Sequence, residues 1–142
     1  MALDTLLVLA SDVTITVDGN SDYIECEGGG LVWVRIWFGA MSGGTSIDIR
    51  VMASLDAGSN YYMFGKFQQL EPTDDNAYMA IPVYLPRPTS AANKLRVRLN
   101  YDVTGAMSTA ITTAAIDPMT SLAVPEQDER NQNGAVSLLA AV

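Results

Sequence analysis

An all-β domain is what this sequence predicts, and three observations carry the expectation. Apolar and polar residues alternate with a period of two almost everywhere, the period of a strand with one face in a core. No window sustains the 3.6-residue period of an amphipathic helix. Clusters of Gly, Asn, Asp and Pro separate about eight such runs, the pattern of a β-sandwich or barrel.

The elements follow in order. Val13, Ile15 and Val17 alternate with Thr14 and Thr16, and "DGNSD" (18–22) reads as a turn. Residues 23–27 are then expected to return as the second strand of a hairpin ending at the glycines 28–30. "LVWVRIWF" (31–38) is apolar on both faces except for Arg35, as expected of a central strand covered on both sides. "GAMSGGT" (39–45) is expected to interrupt it. "SIDIRVMASL" (46–55) sets Ile47, Ile49, Val51, Ala53 and Leu55 on one face against Asp48, Arg50, Met52 and Ser54. "DAGSN" (56–60) has the length and residue types of a hairpin connection, with Gly58 available for positive φ.

"YYMFGKFQQL" (61–70) follows, then a polar loop "EPTDDN" (71–76) and "YMAIPVYL" in the 77–85 region. Pro82 cannot donate a ladder hydrogen bond, so this strand is expected at an edge or a bulge. After the loop "RPTSAAN" (87–93), "KLRVRLNYD" (94–102) alternates strictly, and "STAITTAAI" (108–116) is the last good strand. The organisation is thus a single β-sandwich or barrel at 11–117, with an N-terminal arm or edge strand at 1–10 and a C-terminal arm at 118–142.

Composition bounds the function. A chain of 142 residues suits one domain burying roughly 68–70% of the surface it would expose unfolded. With 49% hydrophobic and 17% charged residues it lies far from the composition of disorder. A net charge of -8 argues against nucleic acid as a partner, since phosphate neutralisation needs a clustered positive surface. The lone Cys26 makes no intrachain bridge. "MALDTLLVLASD" has Asp4 where a signal peptide would be positive, so it reads as mature protein. No run approaches the roughly 20 apolar residues of a membrane span, and a soluble protein is expected.

The residues offer little catalytic chemistry. There is no histidine, so imidazole-dependent nucleophile systems and imidazole metal sites are out. One cysteine supplies no structural zinc site, and no glycine-rich phosphate loop precedes a helix. Asp74 and Asp75 are adjacent, unlike a glycosidase pair facing across a cleft. Asp18, Asn20 and Asp22 have the D-x-N-x-D spacing of a calcium loop, but its sixth position is Tyr23 rather than Gly and its twelfth Gly29 rather than Glu. No catalytic residue, metal or cofactor is assigned, and the chain is not expected to be an enzyme.

Two clusters read as recognition surfaces. Trp33, Arg35 and Trp37 share one face of their strand, so Arg35 lies between two indoles, residue types enriched at binding hot spots and suited to cation–π stacking. The alternative is that both tryptophans lie in the domain's own core with Arg35 paired to an acidic residue. Lys94, Arg96 and Arg98 form a positive stripe on an acidic protein, either a solvated face or a contact with an acidic partner or another copy. In the C-terminal arm a polar stretch at 126–134 precedes "AVSLLAAV", in which Leu138 and Leu139 either belong to a frayed end or pack on a neighbour.

The stretches "LLVLASDVTITVDGNSDYIEC" (6–26), "LVWVRIWFGAMSGGTSIDIRVMASLDAGSNYYMFGKFQQ" (31–69) and "NKLRVRLNYDVTGAMSTAITTAAI" (93–116) together resemble tailed-bacteriophage capsid accessory proteins of the cement or decoration kind. Tyr61 and Tyr62 stand where that pattern has a tryptophan, and the tail after Pro118 departs from it. The resemblance implies a single jelly-roll-like β-sandwich made in the host cytoplasm that binds the outer capsid surface of the virion and reinforces contacts between major capsid subunits. The implied partners are the major capsid protein and other copies of the chain, as dimer or trimer, and no catalytic residue carries over. A carbohydrate-binding sandwich using Trp33, Trp37, Tyr61 and Tyr62 is the alternative. A carboxylate-based hydrolase has no support in the residues.

Overall fold

The structure, a computed structural model, describes residues 8–74, 76–90 and 92–118. Among them nine strands run in order: β1 Val8–Ile15, β2 Gly19–Asn20, β3 Ile24–Cys26, β4 Gly30–Gly43, β5 Ser46–Ser54, β6 Tyr62–Lys66, β7 Tyr78–Leu85, β8 Leu95–Thr104 and β9 Met107–Pro118. A short 3₁₀ turn at Pro72–Asp74 precedes β7. The strands form two antiparallel sheets, one of four strands in the order β1-β9-β4-β7 and one of five in the order β2-β8-β5-β6, with β3 also on β8.

β2 meets β8 at Tyr101 and Asn100, and β3 meets it at 95–97. Because β5 occupies the opposite edge of β8, β2 and β3 are one edge strand interrupted at 21–23. Counted so, eight strands pass back and forth between two four-stranded sheets, which is the jelly-roll path. The predicted β-sandwich is therefore the observed fold. Pro82 sits in β7, the outermost strand of its sheet, where a missing N–H donor is tolerated.

Two local expectations are corrected. The hairpin across 18–22 does not form: β1 pairs with β9 in one sheet and β3 with β8 in the other. The segment crosses between sheets, held to β8 by side chains. Asp18 Oδ1 accepts the Val103 N–H at 2.7 Å, and the Leu99 N–H donates to Ser21 Oγ at 2.9 Å. Nor does "GAMSGGT" end the strand, since β4 continues to Gly43 with register shifts after Trp37 and Phe38. The turn falls at the end of that stretch, where Gly43 and Gly44 both have φ of 65°, a conformation that suits residues without Cβ.

The core is the inner faces of the two sheets. Val34, Ile36 and Phe38 of β4 meet Ile47, Ile49 and Val51 of β5 and Leu95, Val97 and Leu99 of β8, all buried. Each such side chain contributes about 1.5–3 kcal/mol by leaving water. Near one open edge of the sandwich Gly65 of β6 lies close to β7, where a Cβ would stand 2.8 Å from Val83 Cγ2 and 3.2 Å from Ile81 Cδ1. Gly65→Val is expected to lower the unfolding free energy by about 1–3 kcal/mol through overpacking. Gly30→Ala, which would meet nothing within 4 Å, is expected to change it by no more than about 0.5 kcal/mol. Urea midpoints of the two variants check both values.

Candidate interaction surfaces

The period of two in β4 puts alternate residues on the back of the four-stranded sheet, away from the main core. There the register sets Trp33 between Asp117 and Pro82, Arg35 between Ala115 and Ala80, and Trp37 between Thr113 and Tyr78. The small Ala115 and Ala80 leave Arg35 room to lie along the sheet. Its Nε is 2.5 Å from Asp117 Oδ2, and its guanidinium stands 4.7 Å from the Trp37 ring centroid. Trp37 and Tyr78 stack at 5.0 Å with their rings tilted by 44°.

Trp33, Trp37, Tyr78 and Ala80 form a second buried apolar cluster, separate from the main core. Burial pushes the Tyr78 phenol up, partly offset by the Arg35 charge beside it. An outer sheet face is ordinarily polar and wet, so this layer is unusual. It continues outward into Leu31 and Tyr84, a cross-strand pair between β4 and β7 whose members are 52% and 56% exposed. Burying a pair of that size would gain several times what a surface ion pair supplies.

The outer face of the five-stranded sheet has the opposite chemistry. Alternation in β8 buries Leu95, Val97 and Leu99 and turns Arg96, Arg98, Asn100 and Asp102 outward. Arg96 lies over the Tyr23 ring at 4.3 Å, with Glu25 Oε2 at 3.6 Å from its Nε. Arg98 lies over the Tyr61 ring at 3.7 Å. Farther along, Arg50 reaches Asn100 Oδ1 at 3.3 Å and Asp102 Oδ2 at 3.5 Å, and Lys66 reaches Asp48 Oδ1 at 3.3 Å. Half-exposed pairs of this kind contribute about 0–1 kcal/mol each, so they orient the face more than they hold the fold.

The acidic residues of the loops are hydrogen-bonded within the protein. Asp56 accepts from Ser54 Oγ at 2.7 Å, from the Asn60 N–H at 2.8 Å and from Asn60 Nδ2 at 2.8 Å. Gly58, at φ 92°, donates to Ser54 Oγ. These bonds favour the ionised carboxylate and lower the Asp56 pKa to about 2. The loop is the β5–β6 turn, as its residues predict. Asp18 and Asn20 likewise bond to β8 rather than converging on a cation position. Asp74 accepts the Glu71 N–H at 2.8 Å, while Asp75 lies outside the described residues. Among the described residues no three His, Cys, Asp or Glu side chains gather as metal ligands would.

The sequence-predicted residues therefore divide. Trp33, Arg35 and Trp37 are together and buried, with Arg35 paired to Asp117, the arrangement of the core alternative rather than of an open recognition face. Arg96 and Arg98 stand together on the opposite sheet, with the exposed Lys94 just before them. Leu138 and Leu139 lie outside the described residues. Asp117, Tyr78 and Tyr23 were not singled out from sequence. Only pairing register brings the first two beside Arg35, and only the interrupted edge strand brings Tyr23 to Arg96.

No protein-family model matches the chain, and no curated protein matches it. Among solved structures, that of TmCBM61 in complex with β-1,4-galactotriose aligns over 76% of this chain and 70% of its own, with a TM-score of 0.44 and 13% identity.

Asp117→Asn is expected to destabilise the fold by about 3–5 kcal/mol, because it leaves the buried guanidinium without its carboxylate. The joint Arg35→Met, Asp117→Leu variant should recover most of that loss, read by denaturant unfolding. For Asp56 the folded pKa lies below its ordinary value of 3.8, so its contribution is present above that value and disappears as pH falls toward 2. The difference in melting temperature between wild type and Asp56→Ala should accordingly be largest above about pH 5 and shrink between pH 4 and 2, followed by circular dichroism.

Proposed function

We propose that this chain is a structural protein of a phage particle, a cement or decoration protein that sits on the outer capsid surface and braces contacts between major capsid subunits, working as a homo-oligomer. The observation that carries the reading is the apolar ledge of Leu31 and Tyr84, continuous with the buried Trp33–Trp37–Tyr78 layer on the back of the four-stranded sheet. The layer itself is closed, and the ledge is the exposed apolar surface at its rim, the part left for a partner to cover. The jelly roll suits the role, though the same path also builds lectin domains, so fold alone does not choose. Many weak seats repeated over a shell add up by avidity.

The carbohydrate-binding alternative loses most of its platform. Trp33 and Trp37 are closed to solvent, and the Arg98 guanidinium covers one face of Tyr61. Of its four aromatic residues only Tyr62 presents an open ring, at 59% exposure. A sugar ring needs an uncovered aromatic face to stack on.

Quantitative mass spectrometry of gradient-purified particles tests the reading. The expected result is a simple ratio of this chain to the major shell protein; its absence from the particle would overturn the proposal. Leu31→Asp with Tyr84→Asp, both on the exposed ledge, should reduce particle occupancy at least about tenfold while leaving the folded circular dichroism spectrum intact.

A further inference from the structure

The outer face of β8, with Lys94 just before it, carries a row of positive charge among the described residues. Lys94, Arg96 and Arg98 are three of eight basic residues in a chain of net charge -8. Alternate positions of a strand repeat at about 6.6–6.8 Å on one face, so the stripe is a ladder of cations at that spacing. Two of its members are held upright rather than left to wander. Arg96 rests on Tyr23 and Arg98 on Tyr61, and the turn at 56–60 closes over Arg96, where a Cβ on Gly58 would lie 2.9 Å from Nη1. Side chains already ordered by stacking lose less entropy when they bind. Arg98 has no carboxylate within ion-pair distance among the described residues, and its Nε is shielded from solvent without an acceptor there.

The complementary sequence is in the same chain. Beyond β9, "PEQDER" holds Glu126, Asp128 and Glu129; on an extended backbone Glu126 and Asp128 would repeat at the spacing of Arg96 and Arg98. β9 leaves its sheet with Pro118 opposite Val32. Gly28, just before that end of β4, lies against Pro86 and Leu95, the first residue of β8. The chain thus exits at the end of the sandwich where the stripe begins. Eight residues from 119 to 126 reach at most about 26–29 Å, enough to cross to an adjoining copy.

We propose that the Lys94–Arg96–Arg98 stripe receives the acidic run 126–129 of a second copy of this chain, so that the C-terminal arm links copies head to tail. The inference rests on the assembly reading only in requiring a second copy, and it names the contact that joins copies to one another. Within one chain the two arginines meet Tyr23, Glu25 and Tyr61 among the described residues, which leaves the outer edge of Arg98 for a carboxylate from outside.

Sedimentation equilibrium on the full chain, at low and high salt, tests it. Wild type should associate, and the association should weaken with salt. Glu126→Arg with Asp128→Arg, and separately Arg96→Glu with Arg98→Glu, should each weaken it at least about tenfold. Mixing the two double variants should restore association between them. The arm variant leaves every described residue unchanged, so the test survives if the β8 variant folds poorly. Carbodiimide cross-linking of mixed heavy- and light-isotope protein should join Lys94 to Glu126 or Asp128 across isotopes. A wild type that stays monomeric, association equal in all variants, or cross-links within one isotope only would each overturn the inference. Particle binding that persists in the arm variant while self-association is lost leaves the cement reading standing and separates the two contacts; particle binding absent from wild type as well defeats that reading on its own.

Discussion

Everything in this fold answers to one constraint: β4 is apolar on both faces. A strand whose inner residues are Val34, Ile36 and Phe38 and whose outer residues are Trp33 and Trp37 needs neighbours on each edge and cover on each side. β9 and β7 supply the edges. The five-stranded sheet covers the inner face. On the other face Arg35 is the single charge in the strand's apolar run, and the fold accommodates it by bringing Asp117 to 2.5 Å and Trp37 beneath its guanidinium. Such a pair is weak evidence for stability in itself, since desolvation can offset its attraction. What it does fix is register. A slip of one residue between β4 and β9 would turn Asp117 into the inner core and strand Arg35 without its partner.

The second sheet obeys the opposite rule. β5 and β8 turn their apolar residues inward, Met52 excepted, and carry mostly charged and polar side chains on their outer faces. That face is held by stacked and bridged side chains from separate segments, with Glu25 and the adjoining Tyr23 brought to β8 by the pairing of β3, and Tyr61 laid on Arg98 from the start of β6 beyond β5. The result is a sandwich with unlike sides, one apolar and largely closed, the other polar with its cations ordered in a row.

How much of this is legible in the sequence follows from what is local. Strand identity, the inward residues of β5 and β8, the central place of β4, the edge position of Pro82 and the 56–60 turn depend on period-two patterning and turn chemistry, and each is read from a few adjacent residues. Pairing is not local. Nothing in 13–27 distinguishes a hairpin from a crossing between sheets, because both need an alternating strand, a polar bend and another alternating strand; hydrogen bonds from Asp18 and Ser21 to β8 decide it, some 80 residues away. The same limit hid the partners of the arginines. Trp33, Arg35 and Trp37 form one face in sequence, but whether that face is open or closed depends on Tyr78 and Asp117, delivered by two other strands. Tyr61 read as a platform for a ligand, yet the fold gives one side of its ring to Arg98.

The asymmetry between the two sides also limits how copies can meet. A contact built from the same patch on both partners, as a two-fold axis requires, must be self-complementary. The apolar ledge of Leu31 and Tyr84 meets that condition, since one hydrophobic surface packs against another. The stripe of Lys94, Arg96 and Arg98 does not, because facing it with itself would bring like charges together across the axis. A contact through the stripe must therefore bring a different, acidic surface of the next copy against it, either reciprocally about a two-fold axis or one way from copy to copy. Heterologous contacts close into rings when the rotation allows and propagate when it does not. What the charge pattern excludes is a two-fold contact of the stripe with itself, whichever way copies meet.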